Sequence, residues 1–293
     1  MIRPDAILLS KPWFDQREAE RVRAALAGRV AGDGPFCRRV EERIGERLGN
    51  ARVLLTTSCT HAMELALLAL GIGPGHEVLC PSFTFVSTAN AVLRVGARPV
   101  FVDIEEQTLG MDAGDAARRL GPRAAAIMPV HYAGIAPDMT ALLELADRRG
   151  LKVIEDAAQA FGASYRGRPL GTLGDAGCFS FHETKNITCG EGGALVLRDD
   201  DAARRAEIIR EKGTNRSAFV RGEIDKYTWV SEGSSYVLSD LLAAVLDAQL
   251  DKLEEIQARR ARVAATLLRL PLHPLLSDDD VARVVEGVRA SLG

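Results

Sequence analysis

The sequence predicts an α/β protein built on a mostly parallel central sheet with helices on both faces. Three observations carry that expectation. Short apolar runs at 77–80, 99–102, 124–130, 151–155, 177–181 and 194–197 have the length of strands buried on both sides. Intervening segments such as 139–149 and 201–212 place apolar residues three and four apart, the period of an amphipathic helix. Asp103, His131 and Asp156 each stand just beyond an apolar run, where open parallel sheets present their functional groups.

A chain of 293 residues can bury a full α/β core, and 47% hydrophobic with 26% charged residues is an ordinary globular composition. The formal charge of −3 gives no polyelectrolyte signal, which argues against nucleic acid or an anionic membrane as a partner. No run reaches transmembrane length, and Met1-Ile2-Arg3-Pro4-Asp5 does not begin a secretory signal, so a cytoplasmic protein is expected. The cysteines Cys37, Cys59, Cys80, Cys178 and Cys189 lack a Cys-x-x-Cys spacing and are expected to be reduced thiols. The histidines are scattered, so no metal site is expected.

Along the chain, Thr57-Ser58-Cys59-Thr60 precedes an apolar stretch at 63–70 that stops at Gly71 and Gly73. That is a helix start whose free amides and hydroxyls suit a phosphate, although any one hydroxyl there also reads as a simple cap. Pro81-Ser82-Phe83-Thr84-Phe85 follows the run at 77–80 and opens another helical pattern. Phe85 is the candidate for stacking on a planar ring, and core packing of both phenylalanines is equally open.

The runs at 151–155 and 177–181 lead into the two segments richest in chemistry. Glu155-Asp156-Ala157-Ala158-Gln159 puts a carboxylate at a strand end, and Phe179-Ser180-Phe181-His182-Glu183-Thr184-Lys185-Asn186 supplies an amine ahead of Gly190-Glu191-Gly192-Gly193. An amine able to condense with a carbonyl and a carboxylate able to keep a pyridinium protonated are the two requirements of a pyridoxal phosphate site. Lys185 must lose a proton near neutral pH, which apolar Phe179, Phe181 and Ile187 favour by excluding water. Ser180 adds a second hydroxyl for the phosphate. His182 lies three residues before the lysine.

Residues 213–236 read as a loop that mixes charge with Tyr227, Trp229 and Tyr236, a composition suited to a subunit contact or substrate wall. A single long helix is expected over 239–267, acidic early and carrying Arg259, Arg260 and Arg262 late. A last helix is expected over 277–292.

From Gly32-Asp33-Gly34 through the segments around Asp156 and Lys185, these residues resemble the DegT/DnrJ/StrS sugar aminotransferases over nearly the whole chain. The resemblance implies the type I, aspartate aminotransferase-like fold of pyridoxal phosphate enzymes. It implies a large cofactor-binding domain with an N-terminal arm at 1–238, and a long helix with the remnant of a small C-terminal domain at 239–293. Lys185 would be the catalytic lysine and proton shuttle, and Asp156 would pair with the pyridine nitrogen. Gln159 would contact the ring or its hydroxyl, Phe85 would stack on it, and Ser58, Cys59, Thr60, His61 and Ser180 would surround the phosphate. His182, Asn186, Arg216, Tyr227 and Trp229 would contact substrate. Segments 210–217 and 225–229 are similar to the subgroup acting on a 4-keto-6-deoxyhexose. The implied reaction moves an amino group from L-glutamate to that nucleotide-linked keto sugar, with dTDP-4-amino-4,6-dideoxygalactose as product. It also implies a homodimer whose 213–236 loop serves the neighbouring subunit.

Two departures stand out. Val237 follows Tyr236 where many relatives carry an asparagine. The segment 268–272 resembles the family's penultimate segment and directly precedes the last helix, leaving the small domain incomplete. The second departure motivates an alternative, a catalytically impaired cofactor-binding dimer with a regulatory or scaffold role. A dehydratase of the same family would carry histidine in place of the lysine, so Lys185 argues for transamination.

Overall fold

The computed structural model describes residues 11–264 and 277–292. The chain begins with α1 (Gln16–Leu26), α2 (Pro35–Arg47), β1 (Arg52–Thr56), α3 (Cys59–Ala69), β2 (Glu77–Pro81), α4 (Val86–Arg94) and β3 (Arg98–Val102). It continues with α5 (Ala113–Arg119), β4 (Ala124–Ile127), a 3₁₀ turn at Tyr132–Gly134, α6 (Met139–Arg149) and β5 (Lys152–Asp156). Then come β6 (Ser164–Tyr165), β7 (Arg168–Pro169), β8 (Ala176–Ser180), β9 (Gly193–Leu197), α7 (Asp200–Arg210) and α8 (Arg216–Val220). The last helices are α9 (Asp240–Asp251), α10 (Leu253–Ala264) and α11 (Asp278–Leu292).

Seven strands form one sheet in the order β1-β9-β8-β5-β4-β2-β3. β8, β5, β4, β2 and β3 pair in parallel, whereas β9 is antiparallel to both β8 and β1. β1 therefore runs with the parallel set and β9 alone opposes it. In consequence β1, β2, β4, β5 and β8 all end at one edge of the sheet, and β9 begins there.

β1 was not among the apolar runs read from the sequence, and no period in the sequence distinguishes the reversed β9 from its parallel neighbours. Each of these strands is settled by pairing across the sheet: Arg52 to Thr56 register against Leu197 to Gly193.

The strands are buried on both faces, which explains why they read as continuous apolar runs. One face packs Leu55, Leu79, Ile127, Val153, Phe179 and Val196 against α2, α6 and α9. The other packs Leu54, Val78, Ala126, Ile154, Cys178 and Leu195 against α3 and α7. α3 is apolar nearly all round because it lies within that second layer. Gly193 lets the start of β9 touch the start of α3: a Cβ there would stand 2.4 Å from the Ser58 carbonyl carbon. α6 has the limits expected from its pattern, with Asp138 capping its start and left-handed Gly150 its end. All the cysteines are free and buried.

The expected single helix over 239–267 is two helices, broken at Lys252. The physical reason is the buried Lys252 ammonium, which reaches Glu18 at 2.7 Å and Asp15 at 3.2 Å on the N-terminal segment. Asp15 caps α1, so the break ties the α9–α10 joint to that helix. α9 contributes Ala243, Leu246 and Leu250 to the principal core, so the expected boundary at 238/239 falls ahead of a helix integral to it. The junction at 267–268 and the segment 268–272 lie outside the described residues. Among the described residues no helix is long and apolar enough to cross a membrane, and no cluster of three metal-ligating side chains occurs.

Candidate active site

Asp156 ends β5 at the edge where the parallel strands terminate, and its carboxylate is 5% exposed. Thr88 Oγ1 donates to its Oδ2 at 2.7 Å, and the Ala158 amide donates to Oδ1 at 3.2 Å. Burial nevertheless pushes the Asp156 carboxyl above its ordinary value, outweighing the Thr88 and Ala158 bonds. No cation lies within ion-pairing distance among the described residues.

A cavity of about 370 Å³ opens over Asp156. Its wall takes Ser58, Cys59 and Thr60 from the start of α3, Phe85 and Ser87 from the loop and first turn after β2, Ser180 from the end of β8, and Lys185 beyond it. Ser58 caps α3, its Oγ accepting the His61 amide at 3.1 Å, while Thr60 Oγ1 donates to Ser87 Oγ at 2.9 Å. Burial drives the Cys59 thiol well above its ordinary range, so that residue offers the site a backbone amide rather than a thiolate. Phe85 is 72% exposed at the cap of α4, and its ring stands at the mouth.

Lys185 follows a tight turn in which its amide donates to the His182 carbonyl at 2.9 Å. Its ammonium makes no hydrogen bond or salt bridge among the described residues, and its charge acts on Asp156. Gln159 lines the same cavity and accepts the Ala133 amide at 2.8 Å. His182 also lines it, its Nδ1 3.0 Å from Thr184 Oγ1.

The chain belongs to the DegT/DnrJ/EryC1/StrS aminotransferase family. The model of that family matches residues 12–269. The aminotransferase TlmJ from Streptoalloteichus hindustanus is 29% identical with a TM-score of 0.89, covering 98% of this chain and 99% of its own. A Streptococcus pneumoniae protein in its PLP-form is 26% identical with a TM-score of 0.82, over 89% of this chain and 70% of its own. The same protein is also known in a PMP-form. DesI, solved in the presence of its TDP-sugar product, is 33% identical with a TM-score of 0.80, over 89% of this chain and 64% of its own.

Membership of this aminotransferase family makes pyridoxal phosphate the cofactor, and the cavity fits it. Among the described residues its buried carboxylate has no cation and its amine no partner, and its helix start offers hydroxyls and amides to an anion.

Other residues implicated by the sequence lie elsewhere. The His61 ring sits between Thr57 and Tyr236, its centroid 4.9 Å from that of Tyr236, and does not line the cavity. Asn186 lines a neighbouring cavity on the other side of Lys185. Arg216 is held by Asp33 and Glu211, each at 3.2 Å. Tyr227 packs on Phe219 and Trp229 is 76% exposed, both away from this chain's own cavity. Sequence reading passed over Thr88, whose hydroxyl anchors Asp156. Its only signal is a Thr84–Thr88 pair one helical turn apart, and those hydroxyls are 2.6 Å from each other. It also passed over the role of His131, which pairs with Glu155 at 2.7 Å beneath Asp156. Glu155 in turn accepts the amides of Gly171, Leu173 and Gly174, fixing the end of β5.

Proposed function

We propose that this chain transfers an amino group from L-glutamate to carbon 4 of a nucleotide-linked 4-keto-6-deoxyhexose. The activity proposed is that of a dTDP-4-amino-4,6-dideoxygalactose transaminase. The observation that carries the reading is a buried carboxylate and an amine lining one cavity, the first without a cation and the second without a partner among the described residues. Its likeness to a protein solved with a TDP-sugar product supports the substrate class.

Pyridoxal phosphate, when bound, supplies a conjugated ring that draws electron density from the substrate carbon undergoing proton transfer. The residues do the rest. Asp156 holds a proton at the ring nitrogen, and Thr88 keeps its carboxylate aimed there. Ser58, Cys59, Thr60 and Ser180 hold the phosphate through amides and hydroxyls, with His61 bracing that helix start from behind. Phe85 and Gln159 flank the ring. The Lys185 amine takes the α-proton of glutamate, and in the second half-reaction gives a proton to carbon 4 of the sugar. His182 and Asn186 contact substrate from the same chain. Arg216, Tyr227 and Trp229 belong to the wall offered to a second subunit in a homodimer, a reading supported by exposed Trp229, Tyr227 and Val230. In this reading the described residues up to 238 carry the cofactor site, α9 packs into the core beneath it and α10 borders the substrate side.

The test is direct. The purified chain with cofactor, L-glutamate and dTDP-4-keto-6-deoxyglucose should form 2-oxoglutarate and an amino sugar in equal amounts. Formation of neither, in a protein that binds the cofactor, would overturn the reading in favour of a cofactor-binding protein without turnover.

A further inference from the structure

Behind Lys185 lies a second cavity of about 490 Å³. It shares Ala158, Gln159, Ser180, Thr184 and Lys185 with the first, and α10 adds Arg260 to a wall that also holds Asn186. Arg260 is half-buried and makes no hydrogen bond or ion pair among the described residues. Burial pushes its guanidinium below the ordinary range, with no neighbouring charge acting against that shift. Arginines elsewhere are treated differently: Arg210 and Arg216 are half-buried or deeper and each meets two carboxylates. A guanidinium drawn out of water with no counter-charge is costly unless a bound anion supplies one.

We infer that Arg260 is the specificity-determining residue that binds the α-carboxylate of the amino donor; this rests on the transaminase reading above. Three arguments select that anion. Of the residues assigned to the cofactor phosphate, Ser58, Cys59 and Thr60 at the helix start line only the first cavity and Ser180 alone lines both, so most of the phosphate's donors stand away from Arg260. The donor's α-carboxylate is bonded to the carbon whose proton Lys185 removes, so it must sit beside Lys185, and Arg260 shares a cavity wall with that lysine. The planar fork of one guanidinium matches one carboxylate through two parallel hydrogen bonds. Asn186 lines the same cavity and has a side-chain amide able to donate a further hydrogen bond to that group.

Arg260→Gln and Arg260→Lys should be prepared in the full chain, with cofactor affinity as the check on folding. Arg260→Gln should raise the KM for L-glutamate, and the Kd of glutarate measured by calorimetry, by about 10- to 100-fold, the loss of a charge-assisted bidentate pair. The KM for the keto sugar nucleotide should stay within about twofold, and Arg260→Lys should fall between the two because it keeps charge but loses the fork. Unchanged glutamate and glutarate values would overturn the inference, and so would an effect confined to the sugar nucleotide, which would assign Arg260 to its diphosphate. Should the wild-type chain show no turnover yet lose glutarate binding on Arg260→Gln, the transaminase reading fails and the carboxylate site stands.

Discussion

Two groups of charge withdrawn from water in this molecule are handled in opposite ways. Around Arg210 every charge is answered: its guanidinium meets Asp33 at 2.8 Å, Glu41 at 3.0 Å and the Leu55 carbonyl at 3.0 Å. Asp33 and Glu211 then hold Arg216. Around the cavity, Asp156 has hydrogen bonds and no cation, and the Lys185 ammonium has neither hydrogen bond nor counter-ion among the described residues. A closed network braces α7 against α2 and β1. An open one keeps its charges for something that binds. Burial alone therefore does not mark a functional group; burial without a counter-charge does.

The comparison breaks most sharply at Lys185. Lys185→Ala should reduce kcat by about 10³-fold or more, as expected when the group moving the proton is removed. Its thermal midpoint should match wild type, since the side chain packs against no ionic partner. Equal loss of activity and fold would place Lys185 in the brace instead.

Arg210→Met should do the reverse. It leaves half-buried Glu41 without its cation and Asp33 with Arg216 alone among the described residues, at a cost of about 3–5 kcal/mol. Urea denaturation should show that loss, while the folded fraction keeps its cofactor affinity.

Asp156→Asn sharpens the contrast through pH. Because the folded carboxyl titrates above its ordinary 3.8, the stability linked to its protonated form is complete below that value and is lost as pH rises through the folded pKa. Without cofactor, the Asn variant should therefore be more stable than wild type at pH 7, with the gap closing as pH falls toward 3.8. Loaded protein should show the opposite order, since the wild-type carboxylate then has its cation. Parallel melting curves at all pH values would sink the idea that Asp156 is unsatisfied.

The smallest effect is expected from Thr88→Val. It removes the hydroxyl that donates to Asp156, a hydrogen bond to a charged group whose loss corresponds to about a tenfold fall in kcat. It should also move the Asp156 carboxyl further up, visible as a wider pH gap between the Thr88→Val protein and its Asp156→Asn derivative.

Much of the architecture was legible because strands buried on both faces leave unbroken apolar runs, and α6 announces itself with Asp138 and Gly150 at its ends. β1 and the reversal of β9 were not, because pairing direction leaves no local trace. The break at Lys252 was also hidden: the sequence over 239–267 is helical throughout, and the kink answers two carboxylates more than two hundred residues away in the chain. At the site, the types and order of Asp156, Ser180 and Lys185 were readable. The Thr88 anchor was not, because a hydrogen bond across 68 residues is a fact of folding rather than of pattern.

By itself, then, the sequence determined the alternation of buried strands and covering helices, the presence of an aspartate at one strand end and a lysine in the segment after another, and the family that this order of residues resembles. These depend on hydrophobic period and on local chemistry, which a linear chain carries. Tertiary structure decided which charges are answered and which are left open: among the described residues, Arg210 is closed and Asp156 and Arg260 are open. Counter-ions are chosen in three dimensions, where a carboxylate distant in the chain can lie 2.8 Å away and one nearby in the chain can be out of reach.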